Sequence, residues 1–495
     1  MQAALPAVAG RMPRPSEEAP GRALVLASFD SFLKAAKPIG QALAAAGWQV
    51  DTRLVRVRAR QLSRRQLTAL GYLAPPPAAT LAETIAAPDL IDYDVIVLGL
   101  DGRRTRAVLG GLRRLPLAAR KTRPLTIALY PGIVFRHQVH GLANRFGADL
   151  ILFNSPADHA HYEATCAALG VAADRGLCFG STVIRADDRS RPAPVWPPRT
   201  ILYAEQPDVP ASRIERLYLV DRLIAYARAH PERTVIIKPR HAPGETTLRP
   251  TIHHLAGIVR RAERRGLKPA NLRLVYDPIE NLLDTTDLCL TVSSTVALQA
   301  AARGIPFAIL GDFGICEDYG TNFFIDSGCL TTFDALQADY KPTLRPHWLE
   351  RHVLAAEANI PALVDTIAQW RDAQHQGARA CAWPPDPFAS MGASFNRYQA
   401  ADGALATGLP LRATCRISPL SGRKLRKLIR EPRRFFADMV MNWHARLTSA
   451  CRRATRRFDH SSIATRDAGG TVHPVSLKAV RTVSMGRNRY RLSGG

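Results

Sequence analysis

The chain has 495 residues, 46% of them hydrophobic, and a formal net charge of +25. That length exceeds one core and predicts two or three domains, while no run approaches the roughly 18–20 uninterrupted apolar residues of a membrane-spanning helix. Eight scattered cysteines include no C-x-x-C pair, so neither a zinc site nor a disulfide framework is indicated. Residues 1–15 carry no apolar stretch of signal-peptide length, which predicts a cytoplasmic location. The excess charge is a tail property, with 20 Lys and Arg against 4 Asp and Glu beyond residue 410.

In chain order, residues 23–28 read as a first strand, 34–47 as a helix and 50–57 as a second extended run, the start of a βαβ unit. Residues 94–99, 124–130 and 149–154 are further short apolar strands, the pattern of a parallel doubly wound sheet. Residues 20–185 form a first Rossmann-like domain on this reading. Residues 186–199, rich in Pro and charge, read as a linker, because proline ends a helix and interrupts a central strand.

A second α/β set follows over 200–375. Its candidate strands are 200–204, 234–238, 272–276, 288–292 and 307–310, with helices at 211–230 and 251–265 and a last one at 348–373. The fold class expected is therefore α/β, two Rossmann-like doubly wound parallel sheets facing a cleft. Residues 376–419 are a second linker, and 459–495 lack periodicity and are expected to be disordered.

Between them, 420–458 is basic and amphipathic. Leu425, Leu428, Ile429, Phe435, Phe436 and Trp443 fall on one stripe, while Arg423, Lys424, Lys427, Arg430, Arg433 and Arg434 lie mainly on the other faces, with a kink allowed at Pro432. Cations flanking an aromatic and aliphatic face suit an anionic membrane surface. Packing of the stripe on the enzyme body is the competing reading, and nucleic acid is the least favoured partner, since no helix-turn-helix is evident.

Ligands of open α/β sheets bind outside the carboxyl ends of the strands. Those turns here are rich in Lys, Arg, His and hydroxyls, which a purely structural protein has no need to gather on one edge of both sheets. Ser293, Ser294 and Thr295 follow an apolar strand and open a helix, where N-cap hydroxyls, free amides and the helix dipole stabilise a phosphate. An ordinary capped helix is the alternative. Lys238 and Arg240 supply charge, His241 a hydrogen-bond donor, and Gln206 and Glu280 sit on neighbouring turns of the same edge. No G-x-G-x-x-G follows either first strand and no G-x-x-x-x-G-K-[ST] occurs, which argues against a dinucleotide dehydrogenase and a P-loop nucleotidase.

Two such domains, with Lys238-Pro239-Arg240-His241 and Ser293-Ser294-Thr295 turns in the second, resemble the GT-B glycosyltransferases, especially capsule and surface-polysaccharide enzymes such as polysialyltransferases and Kdo transferases. The resemblance spans roughly residues 20–375. Arg240 stands where several relatives have His, and His241 where they have Pro. It implies a transfer that needs no metal and no bound cofactor, from a nucleotide-activated sugar as substrate, a CMP-linked sugar acid being one candidate, to a hydroxyl of a polysaccharide or lipid-linked glycan. The same resemblance extends to the basic tail and implies a peripheral enzyme at the inner face of the plasma membrane. A polyol-phosphate transferase of the teichoic-acid type and a non-catalytic assembly scaffold are the other two functions considered.

An inverting transfer needs a base, which the resemblance places in the first domain. Asp30 and Asp101, both at strand ends, are the candidates, with His137 and His140 behind them, and a helix cap or salt bridge is the ordinary role for either acid. Ser31, Lys34, Gly132 and His137 are expected near the acceptor, Gly132 by letting backbone approach the substrate.

Overall fold

The structure, a computed structural model, describes residues 21–386 apart from 57–60, 116–121, 134–137, 186–192, 208, 246, 249–250, 252 and 380. The basic segment with Arg423, Lys424, Lys427, Arg430, Arg433, Arg434, Phe435 and Phe436 lies outside the described residues, as does His137.

The first sheet contains β1 (Arg22–Ala27), β2 (Gln49–Arg56), β3 (Ala78–Thr80), β4 (Val95–Gly99), β5 (Leu125–Leu129), β6 (Leu150–Phe153) and β7 (Gly176–Cys178), in the order β3-β2-β1-β4-β5-β6-β7. The second contains β8 (Thr200–Ala204), β9 (Thr234–Lys238), β10 (Leu272–Leu274), β11 (Leu288–Thr291), β12 (Phe307–Leu310) and β13 (Leu330–Thr331), in the order β10-β9-β8-β11-β12-β13. Every pairing is parallel, as between β1 and β4, where Leu24 faces Ile96, and between β8 and β9, where Leu202 faces Ile236. Two Rossmann-like domains are the result.

Helices on both faces explain the composition of the inner strands. A parallel strand covered on both sides must be apolar at every position, and β4, β5, β6, β11 and β12 are buried throughout. Leu24, Leu26, Ile96 and Leu98 fill one face of the first sheet, and Val25, Val95, Val97 and Ile127 the other. In each sheet the strand order reverses beside its first strand, which opens a crevice between β1 and β4 and another between β8 and β11.

The region expected as one helix over 348–373 is two, Pro346–His352 and Ile360–His375. Pro361 stands in the first turn of the second helix. Proline is tolerated there, but inside a continuous helix it would remove a hydrogen bond and clash with the preceding turn. This last helix follows the second sheet in sequence yet packs on the first, where Leu363, Val364 and Ile367 join Val25 and Ile39 in one cluster. The crossing is tight. A Cβ on Gly180 would lie 2.8 Å from the Ala355 carbonyl carbon, and its φ of 93° favours glycine as well.

Candidate active site

The helix Asp30–Ala45 begins at the carboxyl end of β1, preceded by Phe29 in an extended conformation without a side-chain cap. Asp30 instead accepts a hydrogen bond from the Ser31 amide at 2.8 Å. One turn further on, Lys34 emerges on the same face. Across the cleft, Lys238 ends β9 and Pro239 and Arg240 turn the chain there. The turn after β11 presents Ser294 and Thr295, and the short helix Ile279–Leu283 presents Glu280.

These groups enclose one cavity of about 250 Å³, lined by both domains. Asp30, Ser31, Lys34, Lys238, Arg240, Glu280, Ser294 and Thr295 of the expected residues are on its wall. Arg65, Gln66, Tyr276 and Gln299 share it and were not anticipated. Arg65 and Gln66 belong to the helix Arg64–Ala69, whose Ser63-x-x-Gln66 capping box is a legible helix start. Gln299 is buried, donates through Nε2 to the Val183 carbonyl at 2.9 Å, and among the described residues its Oε1 has no hydrogen-bond partner.

Ion pairs join the two walls. Arg240 forms a two-pronged contact with Asp30, Nη1 to Oδ2 at 2.8 Å and Nη2 to Oδ1 at 3.0 Å. Lys34 pairs with Glu280, and Arg65 with Glu245, which also accepts from the Ser63 hydroxyl at 2.6 Å. Burial works to raise the Asp30 carboxyl, but the Arg240 charge and hydrogen bonds from Arg240, Ser31 and Gln66 outweigh it and hold it below its ordinary value. Burial likewise works to raise the Glu280 carboxyl, but the charge and hydrogen bond of Lys34 outweigh it and hold it below its ordinary value.

Lys238 is different. Among the described residues it has no carboxylate partner, and its Nζ reaches only the Pro239 carbonyl, at 3.3 Å. Burial depresses its ammonium to about 8, with repulsion from Arg240 and Arg65 acting in the same direction. Glu280 opposes this only at a distance, so among the described residues the cavity holds a cation, Lys238, with no direct carboxylate partner.

Other expected residues stand elsewhere. Asp101 caps the helix Gly102–Leu112, accepting from the Arg104 amide at 3.5 Å, and pairs with the Arg104 side chain; it does not line the cavity. His241 is 4% exposed and turns away from the cavity to pack on His254, ring centres 4.8 Å apart. Burial, with help from His254 and Arg240, lowers it to about 4, so it is neutral at pH 7 and is no phosphate cation.

The Ser293 turn also differs from the expected hydroxyl cap. Ser293 is 1% exposed, and its hydroxyl donates to the Tyr319 carbonyl and lies 2.9 Å from Gln206 Oε1. Gln206 also accepts from the Ser293 amide and donates to the Ser293 carbonyl, both at 2.9 Å. Ser293 and Gln206 thus brace the turn from behind. The helix that follows, Val296–Ala302, has seven residues and Thr295 in a helical conformation at its cap, with no side-chain cap bond. Ser294 Oγ accepts from the Val296 amide at 3.3 Å, and Thr295 Oγ1 accepts across the cleft from the Ile133 amide at 3.4 Å. With so short a helix, the anion-attracting charge of this wall comes from Lys238 and Arg240.

Gly132 faces Thr295 rather than the main cavity. A Cβ there would lie 2.5 Å from Thr295 Oγ1, so the absence of a side chain lets the domains meet. Beneath the site, Arg216 and Glu205 form a buried ion pair, each side chain 1% exposed, and Glu205 accepts the Arg240 amide at 3.2 Å. Among the described residues no group of three or more His, Cys, Asp or Glu could hold a metal ion, and no helix is long and apolar enough to cross a membrane.

Fold and cleft together define a two-domain α/β protein whose candidate site lies between its sheets. The chain belongs to the family described as "Putative glycosyltransferase (DUF6716)", whose model matches residues 23–369. Among solved structures it is similar to a UDP-N-acetylglucosamine 2-epimerase from Listeria monocytogenes, at 15% identity over 78% of this chain and 96% of that one, with a TM-score of 0.44. It is also similar to the Neisseria meningitidis UDP-GlcNAc 2-epimerase bound to UDP-GlcNAc, at 12% identity over 70% and 100% of the two chains and a TM-score of 0.46. A lipopolysaccharide outer core galactosyltransferase, WaaB, matches at 11% identity over 70% and 99%, with a TM-score of 0.39. No curated protein matches the sequence.

Proposed function

We propose that this glycosyltransferase moves a sugar from a nucleotide-activated donor to a hydroxyl of a cell-surface polysaccharide or lipid-linked glycan. The observation that carries the reading is the convergence of Asp30 from one domain with Lys238 and Arg240 from the other on a single cavity at the carboxyl ends of both sheets. Lys238 and Arg240 are suited to a donor phosphate, where charge builds as the sugar leaves. Ser294 and Thr295 offer hydroxyls beside it, and Gln299 Oε1, without a partner among the described residues, is an acceptor for a donor hydroxyl. Asp30 is the base on this reading, since Asp101 is occupied as a helix cap. No metal is assigned a part.

Thermal stability of the full chain against CMP, CDP, UDP and GDP tests the reading. A nucleotide at 100 times its dissociation constant stabilises by about 2.7 kcal/mol, and the shift should vanish in Lys238→Met with Arg240→Gln. Absence of a shift with all four would sink the donor assignment. Residues 420–458 add a second proposal, attachment to an anionic membrane surface from the cytoplasmic side. Co-sedimentation with phosphatidylserine vesicles but not with phosphatidylcholine vesicles, lost on neutralising Arg423, Lys424, Lys427, Arg430, Arg433 and Arg434, is the expected result. Equal binding to both vesicles would refute it.

A further inference from the structure

On the nucleotide-sugar reading, the contact between Asp30 and Arg240 engages the same guanidinium that is assigned to the donor phosphate. Both prongs of the guanidinium are committed to the two carboxylate oxygens, 2.8 and 3.0 Å away, across the cleft. A phosphate presents two oxygens at similar spacing and suits the same fork. Asp30 in turn has its oxygens engaged by Arg240 and by the Ser31 amide, and it is 8% exposed. The cavity, at about 250 Å³, is also smaller than the roughly 300–1,000 Å³ typical of ligand pockets. The pairs Asp30 with Arg240, Lys34 with Glu280 and Arg65 with Glu245 hold its walls together.

Resting on the nucleotide-sugar reading above, we propose that Asp30 and the donor phosphate compete for Arg240, so that donor binding is the event that unmasks Asp30 as the base. With the pair intact, Asp30 has a weakened affinity for protons because its charge is already answered by Arg240. Once a phosphate takes the fork, burial is left as the dominant influence on the carboxylate and its basicity rises. The transfer then balances. The acceptor oxygen forms a bond to the anomeric carbon, the bond from that carbon to the phosphate oxygen breaks with its electron pair leaving on the phosphate, and the acceptor proton passes to Asp30. Lys238, with no direct carboxylate partner among the described residues, meets the incoming phosphate before Arg240 exchanges.

The competition has a sign that an ordinary binding residue would not show. In the full chain, Asp30→Asn should bind the nucleotide that stabilises the wild type more tightly, by about tenfold, since interfacial charge pairs couple by more than about 1.4 kcal/mol. Arg240→Gln should bind it more weakly. Unchanged or weaker binding by folded Asp30→Asn would overturn the competition while leaving the nucleotide reading in place. If none of CMP, CDP, UDP and GDP binds the wild type or Asp30→Asn, the nucleotide reading fails, and the competition with it.

A second measurement uses the wild-type chain and so does not depend on the variant folding. Carbodiimide-driven labelling of carboxylates with glycine ethyl ester, read by mass spectrometry, should modify Asp30 more with saturating nucleotide than without. Equal labelling, or protection by nucleotide, would also refute the competition.

Discussion

The depressed ammonium of Lys238 makes donor affinity depend on pH in a specific window. An anion binds the protonated form, so affinity is nearly full at a pH a unit or more below about 8 and is lost as pH rises through that value. A group with that midpoint is roughly 90% charged at pH 7 and roughly 10% at pH 9, which predicts about a tenfold weakening, worth about 1.4 kcal/mol. Calorimetric titration of the stabilising nucleotide at half-unit steps from pH 7 to 9 measures this, in a range where the nucleotide phosphates no longer change charge appreciably. Lys238→Arg keeps its charge throughout and should give a flat profile. Lys238→Met should be flat as well, and weaker at pH 7 by tenfold or more, since a charge-assisted contact contributes about 1.5–3 kcal/mol. A wild-type profile that is flat from pH 7 to 9, or a slope that survives in Lys238→Met, would refute the reasoning.

Three further outcomes follow from the packing. Arg216→Met leaves the Glu205 charge buried and uncompensated beneath the site, and should cost about 3–5 kcal/mol in denaturant unfolding. Burial raises the Glu205 carboxyl, and without Arg216 opposing it that penalty should shrink as pH falls and grow as pH rises through the folded value. Gly132→Ala drives a methyl against Thr295 Oγ1 and should lower both Tm and turnover. Adding Thr295→Ala should restore part of each, and no restoration in the double variant would place the defect elsewhere. Asp101→Ala removes only a cap and a partly buried ion pair within one helix; it should cost about 1 kcal/mol and leave nucleotide affinity unchanged, whereas a large loss of affinity would return Asp101 to the site.

The inner strands are legible in the sequence because a strand buried on both faces is one continuous apolar run. Residues 200–204, 234–238 and 307–310 are strands at the bounds their composition suggests. The short strands Ala78–Thr80, Gly176–Cys178 and Leu330–Thr331 carry no such run and are recruited by pairing with a neighbour already in place. Lys238, Arg240, Ser294 and Thr295 could be chosen for the site because each lies at the carboxyl end of a strand, where parallel α/β sheets expose their turns.

That rule does not say which way a side chain turns. Arg240 and His241 are adjacent, yet one enters the cavity and the other packs on His254. Asp30 and Asp101 share the same position at a strand end, but only Asp30 faces the second domain. Ser293 reads as a ligand hydroxyl until the distant Gln206 and Tyr319 are seen to claim it.

By itself, then, the sequence determined two parallel α/β domains and the edges at which a ligand could meet them, because these depend on local apolar runs and turn chemistry. The tertiary structure decided the partners: Asp30 with Arg240, Lys34 with Glu280, Lys238 with no carboxylate, and the last helix returned to the first sheet. Those contacts join residues up to hundreds of positions apart, and their energies arise from burial and charge that exist only once both domains have folded around the cleft.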